Sequence, residues 1–586
     1  MTGKAYGKAG KNLRRAEKAD GGPACGGDGG ASACRAAVEK RFSAGTPSSE
    51  HKFSAQFQVL FPNRRFRRGN GKFLASAGAK NYRRGLHFSE IMPIQLFDTL
   101  SREQRVLRPS APDKEFGMYC CGPTVYGPAH IGNFRTFLLQ DVLRRALETD
   151  GVRVRHVRNL TDVDDKTIRR SQAEGKTLAE FTAGWTKKFH EDCAALNMLP
   201  PQVEPSAVAH IPLQIAMIEK LVARGNAYVA PDGSVYFKVS ADPEYGKLAR
   251  LDREALRTQA TNSAGEANSA DEYTRENVAD FALWKARKPE DGPNFWKSPW
   301  GEGRPGWHIE CSAMSTHYLG ETFALHGGGV DLCFPHHENE IAQAECACGR
   351  HGTFAQHWFH AAHLMVDGAK MSKSLGNLYT LADIEAKGFA PAALRYALIS
   401  GHYRSQLNFT LKSLADAAAA LEKIEKGARK LLEKAGLTPA EFAQEISVHE
   451  PNTAWGAFEP AWLALCDDLN TPGALGKIFA ALAKLNKAEL TRAEAGAHLC
   501  GLAKILYALG LQLFVAQKPA AGTPNAAAAA VAGTAEAPAE VVALAEKRRD
   551  AKAAKNWPEA DRLRAEIQAL GWKVLDRKDG YSLEKI

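Results

Sequence analysis

The sequence lacks several features that would assign it to a specialised class of protein. No run of about eighteen apolar residues occurs in its 586 residues, so no segment has the composition of a membrane-spanning helix. Its 11 cysteines are too sparse for a secreted disulfide scaffold and favour reduced thiols in a cytoplasmic protein. No internal repeat is present, which excludes a solenoid or a propeller. The remaining composition, with 45% hydrophobic and 24% charged residues, is that of an ordinary globular chain.

Most of the chain also lacks net charge. Residues 1–91 contain 18 of the 76 Lys and Arg residues but only 6 of the 66 Asp and Glu residues, which leaves 58 basic and 60 acidic residues in 92–586. The formal net charge of +10 therefore originates in the first 91 residues. A nucleic acid that binds the rest of the chain must be contacted through local basic patches.

The first 91 residues form a basic extension rich in Gly, Ala, Ser and Arg. They have no sustained hydrophobic periodicity, and this composition is typical of disorder. Three interpretations remain open: an organelle transit peptide, an RNA-contacting arm, or translation from an upstream start. The globular pattern begins with "MPIQLFDTL" at Met92, which favours the third interpretation.

An α/β pattern follows. The segment "FGMYCCGPTVY" predicts a short strand that runs into a Gly-Pro turn. The next segment has a helical apolar stripe through Phe134, Leu138, Val142 and Leu143 that ends at Gly151. "VRVRHVRNL" then predicts a second strand. A strand, turn, helix and strand in this order form a βαβ unit, whose first turn binds phosphates through free backbone N–H groups.

Composition and periodicity divide the rest of the chain. We predict a catalytic domain at 92–395 with an insertion at about 168–300, and a helical bundle at 396–516. An Ala/Pro-rich linker at 517–540 precedes a C-terminal module at 541–586. A single, strongly charged helix from Leu544 to about Gly571 is predicted in that module.

Two short motifs carry the chemistry. "PAHIGN" (128–133) lies in the first strand-to-helix turn, and "KMSKS" (370–374) follows far downstream. The pair resembles the HIGH-type and KMSKS motifs of class I aminoacyl-tRNA synthetases. The segments "CGPTVY", "NLTDVDDK", "GRPGWHIECSAM", "HGGGVDL", "FPHHENE" and "SGHYRSQLNF" resemble the cysteinyl-tRNA synthetase family in particular, and the resemblance runs from about residue 92 to the end.

The resemblance implies a fold and an activity. The fold is a Rossmann-type α/β catalytic domain with an insertion, followed by an α-helical bundle and a small module like an anticodon-binding domain. The activity is ATP-dependent ligation of L-cysteine to tRNA(Cys) through a cysteinyl-adenylate, with Mg²⁺ accompanying ATP and a monomeric enzyme expected.

The same resemblance assigns the ATP site. His130, Asn133, Lys370 and Lys373 are the implied catalytic residues, and Asp331 joins His130, Asn133 and Lys373 in binding ATP. Such residues suit the reaction, since charge builds on phosphate oxygens and on the departing pyrophosphate. Asn133 stands where the motif's name has His, so its contribution to the rate is in question.

The segment "DLCFPHHENEIAQAECACGRHG" (331–352) poses a separate question. His336 and Glu340 lie at i and i+4 on one face of a predicted helix, an arrangement found both in metal sites and on solvated helices. The resemblance implies one Zn²⁺ per chain, held by Cys121, Cys311, His336 and Glu340. Four nearby residues are alternative ligands: Cys120, His337, Cys346 and Cys348.

The resemblance also implies a cysteine pocket lined by Trp307, with Thr124 and Thr161 nearby. An apolar pocket rejects an isostere that adds a polar group only about a hundredfold, so a thiolate-selective zinc ion would make an editing domain unnecessary.

Three other functions compete with this interpretation. A cysteine ligase of the mycothiol-synthesis type shares the catalytic fold but resembles a truncated form, whereas here about 190 residues follow the catalytic domain. A non-catalytic RNA-binding paralogue would be expected to lose His130 or the KMSKS lysines. A zinc hydrolase needs an open metal position and a general base beside it.

Overall fold

The computed structural model describes residues 93–252, 279–371, 375–445, 455–514, 538–554, 556–577 and 580–585. Residues 1–91, the KMSKS residues 372–374 and most of the predicted linker lie outside these ranges. The described residues form fifteen helices: α1 (Ile131–Thr149), α2 (Asp165–Ala173), α3 (Leu178–Ala195), α4 (Ile211–Ala223), α5 (Trp307–Leu319), α6 (His336–Cys348), α7 (Leu381–Ala386), α8 (Pro391–Ile399), α9 (Leu411–Ala435), α10 (Pro439–Glu445), α11 (Glu459–Cys466), α12 (Thr471–Leu485), α13 (Arg492–Leu509), α14 (Ala539–Ala553) and α15 (Trp557–Ala569). They also form sixteen strands: β1 (Gln95–Phe97), β2 (Gln104–Val106), β3 (Phe116–Cys120), β4 (Val154–Arg158), β5 (Ala227–Val229), β6 (Val235–Phe237), β7 (Phe281–Ala286), β8 (Trp296–Ser298), β9 (Gly301–Pro305), β10 (Leu325–Gly329), β11 (Trp358–Ala361), β12 (Leu364–Val366), β13 (Ala369–Lys370), β14 (Leu407–Phe409), β15 (Trp572–Arg577) and β16 (Gly580–Lys585).

A four-stranded parallel sheet carries the N-terminal α/β part of the chain. Its strand order is β11-β10-β3-β4, and all three neighbouring pairs are parallel. Every residue of β3 and β10 is buried, as expected for a parallel sheet covered on both faces. The predicted α/β class is therefore confirmed. Since β3 and β10 are neighbours, their carboxyl ends open onto one crevice, which is where such sheets bind ligands.

Helix α1 follows β3 directly, as its apolar stripe predicts. The helix face that packs on the sheet is fully buried at Phe134, Leu138, Val142 and Leu143. The helix ends at Thr149, and Gly151 then adopts a positive φ of 85°, a backbone conformation that favours glycine.

The chain leaves the parallel sheet after β4 and returns to it at β10, an excursion that contains the predicted insertion. A five-stranded antiparallel sheet of order β5-β6-β7-β9-β8 lies within it. Its core includes Phe237 stacked on Phe281, with ring centroids 5.0 Å apart. Lys285 and Arg304 pair with Asp165 at the start of α2, which fixes the insertion sheet beside that helix.

A buried ion-pair network joins the helical bundle to α1. Asp141 Oδ2 lies 2.8 Å from Nε of Arg145 and 2.6 Å from Nη2 of Arg395 in α8. Asp141 Oδ1 also accepts the backbone N–H of Leu199 at 2.8 Å. Arg395 donates in turn to the carbonyl of Leu509 at the end of α13. The network therefore ties the first and last helices of the bundle to the helix that carries the HIGN turn.

The C-terminal module differs from its prediction. Two helices, α14 and α15, and the hairpin β15–β16 replace the single helix predicted from Leu544 to Gly571. The helix is interrupted because Asn556 caps a new one, accepting the backbone N–H of Glu559, and Pro558 occupies its first turn, where a missing N–H costs nothing. Charged residues occur on both sides of Asn556, so charge alone did not indicate the break.

Two further observations bear on location. No helix in the described part of the chain is long and apolar enough to cross a membrane. All nine cysteines within the described residues are free thiols. The expected reducing, cytoplasmic location stays a prediction.

Candidate active site

The turn between β3 and α1 holds His130 in a fixed orientation. His130 is the N-cap of α1: its Nδ1 accepts the backbone N–H of Asn133 at 3.2 Å, and its own backbone N–H donates to Asn133 Oδ1 at 3.2 Å. Since Nδ1 accepts a hydrogen bond, the proton of a neutral ring resides on Nε2. The reciprocal cap therefore gives Asn133 a structural role at the position where the motif's name has His.

The charge of His130 is also set by its surroundings. Burial lowers the pKa of His130, and the nearby Asp331 carboxylate opposes that shift without cancelling it. A neutral imidazole with a proton on Nε2 is a hydrogen-bond donor suited to a phosphate oxygen.

The HIGN turn and the KMSKS segment contact each other. Gly132 faces Met371, whose Cε would lie 2.2 Å from a Cβ at that position. The backbone N–H of Ile131 donates to the carbonyl of Tyr379 at 2.9 Å, which holds the chain that follows KMSKS against the same turn. Lys370 is exposed at the end of β13, whereas Lys373 lies outside the described residues.

One cavity of about 410 Å³ connects these groups. Its lining contains most of the predicted site residues together with several that the sequence did not indicate. The lining includes Cys121, Thr124, Tyr126, His130, Asn133, Lys166, Trp185, Phe189, Trp307, Asp331, Lys370 and Met371.

The four predicted metal ligands meet behind the end of this cavity that Cys121 lines, which we call the metal end. Cys121 follows β3, Cys311 lies in α5, and His336 and Glu340 lie one turn apart in α6. All four are buried, and one ligand atom from each lies within 4.8 Å of the others. The Sγ atoms of Cys121 and Cys311 are 3.8 Å apart, and Cys121 Sγ is 3.6 Å from Glu340 Oε1.

The electrostatics of this cluster suit a divalent cation. Burial, the Cys311 sulfur and Glu340 raise the pKa of Cys121. Burial also raises the pKa of Cys311, but a hydrogen bond from Cys121 and the neighbouring His336 outweigh it and lower that pKa. Burial lowers the pKa of His336, but Glu340 and Cys311 outweigh it and raise that pKa. A dication would displace the protons of Cys121 and His336. His336 Nε2 lies 3.1 Å from Glu340 Oε1, so both ligand atoms already face the same point.

A second set of ligands overlaps the first. Cys121 and Glu340 also lie within reach of His326 and His337. His326 Nε2 is 2.8 Å from Glu340 Oε2, and His337 lies between Cys121 and His360, with Nε2 3.4 Å from Cys121 Sγ and Nδ1 2.7 Å from His360 Nε2. These contacts suit groups that orient the ligands of the first set.

The remaining alternative ligands lie elsewhere. Cys120 packs in the hydrophobic core on the other side of β3 from Cys121, as strand alternation predicts. Cys346 and Cys348 lie near the end of α6, and neither belongs to a possible metal cluster of the described residues.

The predicted cysteine pocket is partly as expected. Trp307 lines the cavity and stacks on His336, with centroids 4.2 Å apart and rings 29° from parallel. Thr124 also lines the cavity. Thr161 is 1% exposed and lies behind Thr124, outside the lining. Its hydroxyl donates to Glu310 Oε2 at 2.9 Å and accepts from Asn159 Nδ2 at 3.2 Å, so it supports the wall from behind.

Other residues of "HHENE" anchor the insertion, a role that the sequence did not indicate. Glu338 accepts the backbone N–H groups of Gly246 and Ala249 at 2.9 and 2.7 Å. Asn339 Oδ1 accepts the hydroxyl of Tyr245 at 2.6 Å. Helix α6 therefore presents His336, His337 and Glu340 to the cluster and Glu338 and Asn339 to the insertion. Glu338 lies two positions from both His336 and Glu340 on the helix, and this offset was the signal that it faces away from them.

Comparison with known families agrees with this geometry. Residues 108–419 match the family model of the tRNA synthetases class I (C) catalytic domain. Residues 534–581 match the cysteinyl-tRNA ligase anticodon-binding domain. The fold is thus that of a class I aminoacyl-tRNA synthetase.

Individual relatives narrow the assignment. The cysteine–tRNA ligase of Opitutus terrae is 53% identical over 495 residues, covering 84% of this chain and 99% of that protein. Those of Chlamydia muridarum and Chlamydia felis are 39% and 40% identical over 84% of this chain and cover 100% and 98% of their own lengths. The chain belongs to the cysteine–tRNA ligase family. The predicted enzyme class and activity, ligation of cysteine to tRNA with ATP, are confirmed.

Proposed function

We propose that the cluster of Cys121, Cys311, His336 and Glu340 binds one zinc ion and that the metal end of the cavity selects the substrate by its thiol. Two sulfurs, an imidazole and a carboxylate form a donor set that suits Zn²⁺. The observation that carries the proposal is their convergence from three separate elements within 4.8 Å, beside the half-buried Trp307 of the cavity wall.

A bound zinc ion would ligate the thiolate of cysteine far better than the hydroxyl of serine. The protein's own groups would do the rest. Trp307 closes one side of the amino-acid pocket, and Thr124 forms another. His326 and His337 hold Glu340 and Cys121 in place from behind the cluster.

ATP is assigned to the other end of the cavity. The Nε2–H of His130 would donate to an α-phosphate oxygen as the cysteine carboxylate attacks phosphorus. The Lys370 and Lys373 ammonium groups would neutralise the pyrophosphate as the bond to it breaks, and Mg²⁺ would accompany the nucleotide. Asp331, beside the end of β10, is assigned to the ribose. The tRNA 3′-terminal hydroxyl then attacks the carbonyl carbon of the adenylate, and AMP leaves.

The match to an anticodon-binding domain at 534–581 favours this function over a ligase of the mycothiol-synthesis type. His130 and Lys370 are both present at the cavity, which favours it over a non-catalytic paralogue. A monomeric state and a cytoplasmic location stay predictions.

The test combines metal content with substrate choice. Zinc in the purified full-length protein would be counted by mass spectrometry, and ATP–pyrophosphate exchange would be measured with cysteine and with serine. We expect about one zinc per chain, with exchange supported by cysteine and not by serine.

Neighbouring substitutions provide the controls. Cys121→Ala should lose zinc, whereas Cys120→Ala should keep it, because the two side chains leave the strand on opposite faces. Cys311→Ala shows which ligand set holds the zinc. We expect this variant to lose zinc, because only the first set contains Cys311. Full zinc content in folded Cys121→Ala, or exchange with serine equal to that with cysteine, would contradict the proposal.

A further inference from the structure

One wall of the cavity remains without a substrate. The proposed function assigns cysteine to the end near Cys121 and Trp307, and ATP to the side formed by His130, Asp331 and Lys370. The opposite wall, built by α2 and α3 beyond the end of β4, is lined by Lys166, Trp185 and Phe189. The reaction has three substrates that must meet at one carbonyl carbon, and the proposed function assigns positions to two of them.

The aromatic part of this wall is rigid. Trp185 and Phe189 lie at i and i+4 in α3, so both project from the same face of the helix. Phe189 is buried, packs edge-on against Phe137 with centroids 5.5 Å apart, and has the Arg158 guanidinium 4.8 Å from its ring centroid. Trp185 is half-buried, and Phe181 contacts it edge-on at 6.5 Å. A half-buried indole in a cavity lining is a surface on which a nucleobase can stack.

Positive charge borders the same wall. Lys166 is exposed in the first turn of α2, and its Nζ lies 6.0 Å from the ring centroid of Tyr126. Arg170, one turn later, lies 4.6 Å from that ring centroid and donates to the Tyr126 carbonyl at 2.9 Å. Of the two cations, Lys166 lines the cavity together with Tyr126 and Trp185. A cation and aromatic side chains in one cavity lining are complementary to a nucleotide, with the phosphate at the cation and the base on an aromatic ring.

We propose that this wall binds the 3′-terminal adenosine of tRNA, with its base on Trp185 and its phosphate near Lys166. The inference rests on the proposed function, because it uses the positions assigned to cysteine and ATP. Adenine is common to ATP and to the tRNA end, and the position of the wall decides between them. In the parallel sheet β4 and β10 flank β3 on opposite sides, so the wall that follows β4 lies across the HIGN turn from Asp331, which follows β10. The proposed function puts the AMP part of the adenylate on the Asp331 side, so a nucleotide on this wall would approach the carbonyl carbon from the other side.

Separate assays of the two half-reactions test the proposal. ATP–pyrophosphate exchange needs cysteine and ATP but no tRNA, so it also reports on the proposed function by itself. Single-turnover transfer from preformed adenylate to tRNA requires the 3′ end. For Trp185→Ala we expect the loss in transfer to exceed the loss in exchange by about tenfold or more, as stacking of one base on an aromatic ring predicts. Trp185→Phe should recover most of the transfer rate.

A lysine pair provides the matched control. Lys166→Ala should slow transfer more than exchange, and Lys187→Ala should affect both equally, because Lys187 is an exposed lysine of α3 outside the cavity lining. The wild-type protein should bind full-length tRNA more tightly than tRNA that lacks its last adenosine. In Trp185→Ala the two affinities should become equal.

Three results would overturn the proposal. A parallel loss of exchange and transfer in Trp185→Ala would assign the wall to ATP or to the fold. An unchanged transfer rate would show that no contact is made. A preserved preference for full-length tRNA would place its adenosine elsewhere.

Discussion

Substitution of Gly122 by alanine should damage the site at its most crowded point. Gly122 follows Cys121, and its backbone N–H donates to Asn159 Oδ1 at 2.8 Å. A Cβ there would lie 1.7 Å from the backbone carbonyl oxygen of Asn159, whereas ordinary contacts begin at 3.4 Å. The chain after β3 and the chain after β4 would therefore have to separate by about 1.7 Å to restore an ordinary contact.

The magnitude follows from that displacement. Overpacking of this kind costs about 1–3 kcal/mol of stability, and we expect the upper end, because the clash is with backbone and not with a flexible side chain. A shift of about 1 Å in catalytic geometry lowers rates about a hundredfold, so cysteine-dependent exchange should fall by roughly that factor. Zinc content should fall as well, since Cys121 is the adjacent residue.

Thermal unfolding and ATP–pyrophosphate exchange would measure both effects. The control is Gly476→Ala in α12, where nothing lies within 4 Å of an added Cβ and alanine favours the helix by about 1 kcal/mol. A Gly122→Ala protein with unchanged melting temperature and exchange within twofold of the wild type would refute the packing argument. Loss of activity in Gly476→Ala would refute the control.

Two further predictions concern the Asp141 network. Asp141→Asn leaves two buried guanidinium groups without their carboxylate, so urea denaturation should show that the free energy of unfolding falls by about 3–5 kcal/mol. As a control, Asp416→Asn removes an exposed pair with Lys412 and should lower the free energy of unfolding by under about 1 kcal/mol. Equal losses in the two variants would contradict the network. Burial raises the pKa of Asp141, but Arg395 and Arg145 outweigh it and hold that pKa below its ordinary value. The carboxylate's contribution is therefore complete above about pH 4 and declines as the pH falls further, and a wild-type advantage over Asp141→Asn that instead grew on acidification would contradict this sign.

Sequence periodicity predicted the parts of the fold in which one residue pattern has one structural meaning. The stripe through Phe134 and Leu138 can only be buried as a helix face, and the apolar strand before it can only pair inside a sheet. The prediction of a single helix in the C-terminal module was wrong because charged residues occur on both sides of Asn556 and Pro558. Those two residues were the signals for a helix cap and a new first turn.

The site was predictable only where the spacing of residues along one helix fixes how close their side chains are. His336 and Glu340 share a helix face, so their proximity follows from spacing. Cys121 and Cys311 are 190 positions apart, and only the family resemblance joined them to the pair. The hydrogen bond between Thr161 and Glu310 depends on how α5 packs against β3, and no local pattern encodes such a contact.

X-ray absorption at the zinc edge tests the central claim most directly, since it counts the sulfur atoms around the metal. We predict two sulfur ligands in the zinc-loaded protein, from Cys121 and Cys311, and three after addition of L-cysteine. Addition of L-serine should leave the count at two. A sulfur count that does not change with cysteine would contradict the claim that the metal reads the substrate thiol, and a count of one before addition would contradict the ligand set.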